Sequence, residues 1–323
     1  MTTDSKPSGS GLKSPIITIL KYLLILVVVY FVGKKLIDNW HEVTAYRWSL
    51  NPYLLILSVA SHILTFAMLS YVWRYLISGF GYKGIHFPHA FKISYIANLG
   101  RYIPGKIWPV VGTVYYARKI GINEEAAVAS WALAQVYAIP ASFLACLVTM
   151  LFQPQMYTGY VSSFVGPAIY IAAAIIFIIS VLAITIPDKA LLLFNIILKV
   201  FNRPEVKFRL SKTLALKVYL GYFICWLMFG FSFWLFLHAV IDDPRIPVMA
   251  GIAAFVLAYQ IGYLTLFSPG GLGVRELVLT SVLTPYVGPV AAGVAVASRL
   301  WNMVSEIIAA LVAVKIKLPE KSD

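Results

Sequence analysis

Runs of about 20 apolar residues recur along this chain, and two of the runs are cut in the middle by a proline–glycine pair. The uninterrupted runs cover 15–32, 52–77, 126–152, 167–186, 214–241 and 289–314. At 1.5 Å per residue, a helix of about 20 residues crosses the ~30 Å hydrocarbon layer of a bilayer. The opposing possibility, a soluble protein with unusually apolar helices, fails on charge. Only 12% of the 323 residues are charged, against about 25% in soluble domains. That leaves too few charges to clothe a water-facing surface. The expectation is an all-α, polytopic integral membrane bundle of about six full spans. The first run is long for a signal peptide, and Gly33-Lys34-Lys35 follows it instead of a small-residue cleavage site. It reads as a retained span after a polar, disordered cytoplasmic tail at 1–14. One transmembrane domain then covers 15–314, and a second cytoplasmic tail covers 315–323.

The two interrupted regions are 87–116, broken at Arg101-Tyr102-Ile103-Pro104-Gly105-Lys106, and 247–283, broken at Ser268-Pro269-Gly270-Gly271-Leu272-Gly273. Proline lacks the amide proton and disfavours helix in the residue before it. Glycine adds no packing to hold a helix together. Each region should break into two half-helices, and broken backbone at membrane depth survives only where protein or a water-filled cavity covers it. Two re-entrant hairpins are the simplest arrangement. The alternative, each half crossing fully, gives up to ten spans.

The charges orient the bundle. The chain carries 26 Lys plus Arg against 13 Asp plus Glu, a net charge of +13. The basic residues lie in short loops beside apolar runs, the distribution of cytoplasmic loops under the positive-inside rule and not that of a nucleic-acid binder. With Lys6, Lys13 and Lys21 inside, the loop 188–213 with its six basic residues falls inside too, as do Lys315, Lys317 and Lys321. The loop 153–166 falls outside and is uncharged; Lys34, Lys35 and Arg47 are the exception. This places the protein in the cell (inner) membrane with both termini cytoplasmic. The stretch 188–210 alternates apolar and basic residues, either an ordinary basic loop or a helix lying on the anionic inner leaflet.

The breaks also repeat. Pro104-Gly105 matches Pro269-Gly270 at an offset of 165 positions (269 minus 104), and the same offset lays Ala126-Ala127 on Ala291-Ala292. Each half, 52–152 and 217–314, reads as span, broken hairpin, span. The run 167–186 separates them, so the halves enter the membrane in opposite directions. Inverted repeats with substrate held between broken helices are the architecture of many secondary transporters.

Ionisable residues at membrane depth are costly and mark function by default. Around the first break stand Asn98, Arg101 and Lys106, with Pro104 and Gly105 freeing backbone amides. Arginine grips a phosphate with two donors and lysine adds a point charge; the competing reading has both snorkelling to headgroups. Around the second break stand Pro269, Gly270, Gly271, Gly273, Arg275 and Glu276, where glycines let backbone approach a ligand. No GxxxxGK[ST] pattern supports nucleotide binding there. On the last span, Arg299, Asn302 and Glu306 are three and four apart and share a helix face. Arg299 is expected to pair with Glu276, and Glu306 with Arg275, as a cross-brace or a proton relay. Arg118, close to Glu124 and Glu125, is a candidate nearer the cytoplasmic surface. Cys146 and Cys225 lie in apolar runs as buried thiols, and no histidine pair has metal-ligand spacing. No catalytic, metal or cofactor set emerges, and no enzyme activity is expected.

The segments RYIPGKIW (Arg101–Trp108) and SPGGLGVRE (Ser268–Glu276) resemble the lysylphosphatidylglycerol synthase transmembrane family, a resemblance that extends over Ile16 to Val314. It implies re-entrant segments and transfer of modified phospholipid between leaflets. Arg101, Lys106, Arg118, Arg275, Glu276, Arg299 and Glu306 match that family's polar positions. Two departures stand out. The soluble aminoacyl-transferring domain is absent, so synthesis of lysylphosphatidylglycerol is not expected. Gln135 stands where many members carry a carboxylate, which speaks against proton coupling at that position. The leading expectation is a translocase for a phospholipid or polyprenyl-linked lipid. The alternatives are a membrane transferase and a non-catalytic partner of a separate lipid-modifying or glycosyl-transferring enzyme.

Overall fold

The structure is a computed structural model, and it describes residues 48–102, 107–152, 165–200, 202–242, 244–265 and 269–319. The run 15–32 lies outside the described residues. In chain order the helices are α1 (Pro52–Ser78), α2 (Phe87–Leu99), α3 (Trp108–Arg118), α4 (Glu124–Leu151), α5 (Val165–Thr185), α6 (Leu192–Val200), α7 (Lys212–Val240), α8 (Val248–Leu264), α9 (Val274–Val287) and α10 (Ala291–Lys315). No strand occurs among the described residues. Helices α1, α4 and α7 hold 27, 28 and 29 residues, and together with the run Val274–Lys315 they are long and apolar enough to cross a membrane. The protein is a polytopic membrane helical bundle.

Local sequence sets the ends of the long helices. Asn51 starts α1 by accepting from the amides of Tyr53 (3.1 Å) and Leu54 (3.2 Å), with Pro52 behind it at a position whose amide needs no partner. Asn123 does the same for α4 through Ala126 N–H at 2.8 Å, and Ser211 for α7 through Leu214 N–H at 3.2 Å.

The four helices around the breaks are shorter. The 13 residues of α2 and 11 of α3 come to ~20 and ~16 Å at 1.5 Å per residue. The 17 of α8 and 14 of α9 come to ~25 and ~21 Å. Each falls short of the ~30 Å hydrocarbon layer, which favours two hairpins over the ten-span arrangement. The 3-10 turns at their tips, Gly100–Tyr102 and Pro269–Gly271, touch one another.

Long helix, half-helix, tip, half-helix, long helix thus occurs twice, as α1–α4 and α7–α10. The packing follows the same pattern: α1 lies along α7, α4 packs on α7 and α8, and α10 packs on α1 and α2. The backbone bonds Asn51 N–H to Ala239 O (2.8 Å) and Arg209 N–H to Gly79 O (2.9 Å) join α1 and α7 at opposite ends, which makes them antiparallel. One end of the bundle therefore gathers Lys92, Arg118, Lys119, Arg203, Lys207, Arg209 and Lys212. It also takes the end of α10, where Lys92 Nζ donates to the carbonyls of Val314 (3.2 Å) and Ile316 (2.5 Å).

The outer surface of the bundle is apolar, and its largely hydrophobic core also encloses polar and charged side chains. On α10, Leu300, Val304, Ile307 and Leu311 face outward and are exposed, while Ser298, Asn302, Ser305 and Glu306 are buried. Helix α6, inside the basic loop, is amphipathic in another sense: Leu192, Ile196 and Val200 form an exposed apolar row beside exposed Lys199. That geometry favours the interfacial helix over the plain loop.

Candidate functional site

Helix α2 stops at Gly100, and the next residue, Arg101, turns its guanidinium toward the opposite half of the molecule. Its Nη1 donates to the Tyr259 hydroxyl on α8 at 2.8 Å, and its Nη2 forms an ion pair with Glu306 Oε1 on α10. Both side chains are largely buried, at 15% and 3% exposure. Asn302, one turn before Glu306, donates to the same carboxylate oxygen at 2.5 Å. The Tyr95 hydroxyl on α2 donates to the Glu306 backbone carbonyl at 2.6 Å. The first tip is thus tied to α8 and α10.

The second tip is built from left-handed backbone. Gly270, Gly271 and Gly273 have φ of 58°, 70° and 80°, a region costly for residues with a Cβ. A Cβ on Gly271 would also sit 2.9 Å from Gly262 Cα, so the loop presses directly on α8. Glu276, in the first turn of α9, accepts from Gly273 N–H at 2.6 Å through Oε2, where a negative charge suits the helix dipole. Its Oε1 accepts from Arg299 Nη1 at 2.6 Å, and Arg299 Nη2 reaches the Gly270 carbonyl at 3.3 Å.

Arg275 is held differently. It is 6% exposed, and its guanidinium lies over the rings of Phe255 and Tyr259, 4.9 and 5.2 Å from their centroids. Such stacking attracts a cation but does not neutralise it. Among the described residues no carboxylate pairs with Arg275, and its Nη2 has no hydrogen-bond partner.

These groups surround one chamber of about 450 Å³ between the two tips, α4 and α7. Arg101, Arg275 and Arg299 line it, with Asn98, Gln135, Gln260 and Asn302 and a wall of aromatic rings. Gln135 Oε1 accepts from the Tyr263 hydroxyl at 2.7 Å, and Gln260 Nε2 donates to Ser142 Oγ at 2.5 Å. Leu264, which also lines the chamber, is 47% exposed. His62 is not part of it. That side chain is buried among Phe66, Phe229, Phe255 and Trp301 and hydrogen-bonds Ser232 Oγ at 2.9 Å.

Seven of the residues singled out in the sequence converge here: Asn98, Arg101, Gly270, Gly271, Arg275, Arg299 and Asn302 line the chamber. Gly273, Glu276 and Glu306 stand behind its wall. The second turn begins at Pro269. Pro104, Gly105 and Lys106 lie outside the described residues. One expectation needs correction. Glu306 pairs with Arg101 and not with Arg275, whose guanidinium lies instead over the Phe255 and Tyr259 rings of α8. Arg118 is at the exposed basic end, bonded to Glu124 at 2.7 Å, and does not reach the chamber. The Arg299–Glu276 pair forms as expected.

The sequence reasoning missed Phe255, Tyr259 and Tyr263. They stand four apart on α8, so one helix face carries all three rings into the chamber region. That spacing was the available signal, hidden within an apolar run rich in aromatic residues.

A family model described as the lysylphosphatidylglycerol synthase TM region matches residues 18–312. No curated protein matches the chain.

Proposed function

We propose, from the premise that the chain belongs to the lysylphosphatidylglycerol synthase TM family, that it is a membrane lipid translocase, moving a phospholipid or lipid-linked headgroup between leaflets. One observation carries this reading: two broken helices meet inside an apolar bundle and close around a chamber lined by three arginines. Burying cations in a bilayer is expensive, and such groups mark a path or a ligand. The chamber takes a headgroup, while acyl chains stay in the hydrocarbon beyond Leu264. The basic end then faces the cytoplasm of a cell membrane, with amphipathic α6 lying on the anionic leaflet, and the two four-helix sets rock about the chamber. In this reading the protein does no covalent chemistry.

The test is lipid transfer in proteoliposomes carrying phospholipid labelled on an acyl chain, with a membrane-impermeant quencher added outside. Purified protein should raise the quenchable fraction above the outer-leaflet share seen in empty liposomes. Equal fractions with and without protein, for phospholipid and polyprenyl-linked lipid alike, would sink the translocase.

A further inference from the structure

The chamber's charge is one-sided. Three guanidinium groups line it and no described carboxylate does. Glu276 and Glu306, the carboxylates nearest to it, are 5% and 2% exposed and already bonded to Arg299 and Arg101. An ammonium group entering this space meets like charge and finds no counter-ion free. A phosphate meets the opposite situation. Arg275 lines the chamber, is 6% exposed, and keeps its buried Nη2 without a hydrogen-bond partner. A buried cation lacking a counter-charge is costly, and a bound phosphate oxygen removes that cost while making a charge-assisted bond. The remaining polar lining, Asn98, Gln135, Gln260 and Asn302, is neutral and suits hydroxyls. A volume of about 450 Å³ falls at the small end of the ~300–1,000 Å³ range of small-molecule sites. It has room for a glycerophosphate-sized headgroup and not for a pair of acyl chains.

Resting on the translocase reading, we propose that the chamber selects a phosphate-ester headgroup without an ammonium group, with Arg275 as the phosphate-binding residue. The choice runs against the lipid for which the family is named. Lysylphosphatidylglycerol carries two ammonium groups beside its phosphate, and among the described residues no carboxylate lining the chamber is there to pair with them.

The experiment compares acyl-labelled phosphatidylglycerol and acyl-labelled lysylphosphatidylglycerol in the same proteoliposomes, with wild-type protein, Arg275→Gln and Arg275→Lys. Wild-type protein should move phosphatidylglycerol at least about tenfold faster, a preference equivalent to roughly 1.4 kcal/mol. Arg275→Gln should lose most of that transfer, and Arg275→Lys should recover part of it. Equal rates for the two lipids, or a preference for the lysyl form, overturn the proposal while leaving the translocase intact. No transfer of any lipid fails the translocase reading itself. Added inorganic phosphate should leave phosphatidylglycerol transfer unchanged; strong inhibition would assign the site to free phosphate and overturn its lipid half. The wild-type comparison stands even where Arg275→Gln does not fold.

Discussion

The two tips that meet in the chamber are held by opposite strategies. The first, at Arg101, is braced from the other set of helices, through Tyr259 on α8 and Glu306 on α10. The second, at Gly270–Gly273, is braced by its own set, through Glu276 on α9 and Arg299 on α10. An ion pair within one set moves with it, whereas a pair across the chamber must break if the sets separate. In the translocase reading the second brace would belong to the fold and the first to the closed state. Under the translocase proposal the halves must be similar enough to pack and unequal enough to open, and these two arginines would supply the inequality.

The largest expected effect strikes the second brace. Arg299→Ala leaves Glu276 buried without its cation and frees the Gly270 carbonyl. Removing one member of a buried pair costs about 3–5 kcal/mol. Thermal unfolding followed in detergent by size-exclusion fluorescence should show a steep fall in midpoint, or no folded protein. A variant as stable as wild type would show that the second tip is held by its glycine packing alone.

The first brace should behave otherwise under a double-mutant cycle. Arg101→Gln keeps the Asn302 bond to Glu306, and Glu306→Gln keeps the Arg101 bond to Tyr259. Removing both together spares the protein an uncompensated charge. The double variant should recover about 1–3 kcal/mol of the summed single losses. The same variants should populate open forms, read as increased labelling of a cysteine introduced at Asn98 on the chamber wall. Strictly additive losses with unchanged labelling would remove the distinction between the tips.

A third measurement separates backbone from charge. Gly271→Ala forces a Cβ into a φ of 70° and against Gly262 Cα at 2.9 Å. The left-handed conformation alone costs about 1–2 kcal/mol, and the overlap adds to it. The midpoint should drop by less than for Arg299→Ala, with the ion pairs intact. A neutral outcome would mean that the second loop is free to move away from α8.

These asymmetries mark where sequence reading reaches its limit. The second hairpin was legible because proline and clustered glycines act together over a few residues: Pro269, Gly270 and Gly271 remove a backbone donor and side-chain packing at one place, whereas the lone Pro140 stays inside α4. The Arg299–Glu276 pair was legible too, since both residues flank the same hairpin and each has a fixed helical position. The partner of Glu306 was not. Arg101 and Arg275 both stood at tips expected near α10, and only the three-dimensional offset between α2 and α9 decides which arrives. Tyr259 was hidden for a related reason. In a membrane protein aromatic residues are plentiful, and their meaning depends on which face of α8 turns inward.

The smallest effect is a control on the whole comparison. Arg118 and Glu124 form an ion pair at 2.7 Å, as short as the Arg299–Glu276 pair at 2.6 Å. If length alone set the strength, the two would matter equally. They differ in solvent: the Arg118 and Glu124 side chains are 64% and 43% exposed, against 15% and 6% for Arg299 and Glu276. Water screens an exposed pair and solvates whichever partner remains, so such pairs contribute about 0–1 kcal/mol. Arg118→Ala should therefore shift the unfolding midpoint barely at all and leave lipid transfer at the wild-type rate. Greater salt sensitivity at Arg118 than at Arg299 should accompany it, because ions reach only the exposed pair. A loss of transfer on this substitution, with stability unchanged, would place Arg118 on the route a headgroup takes between the basic end and the chamber.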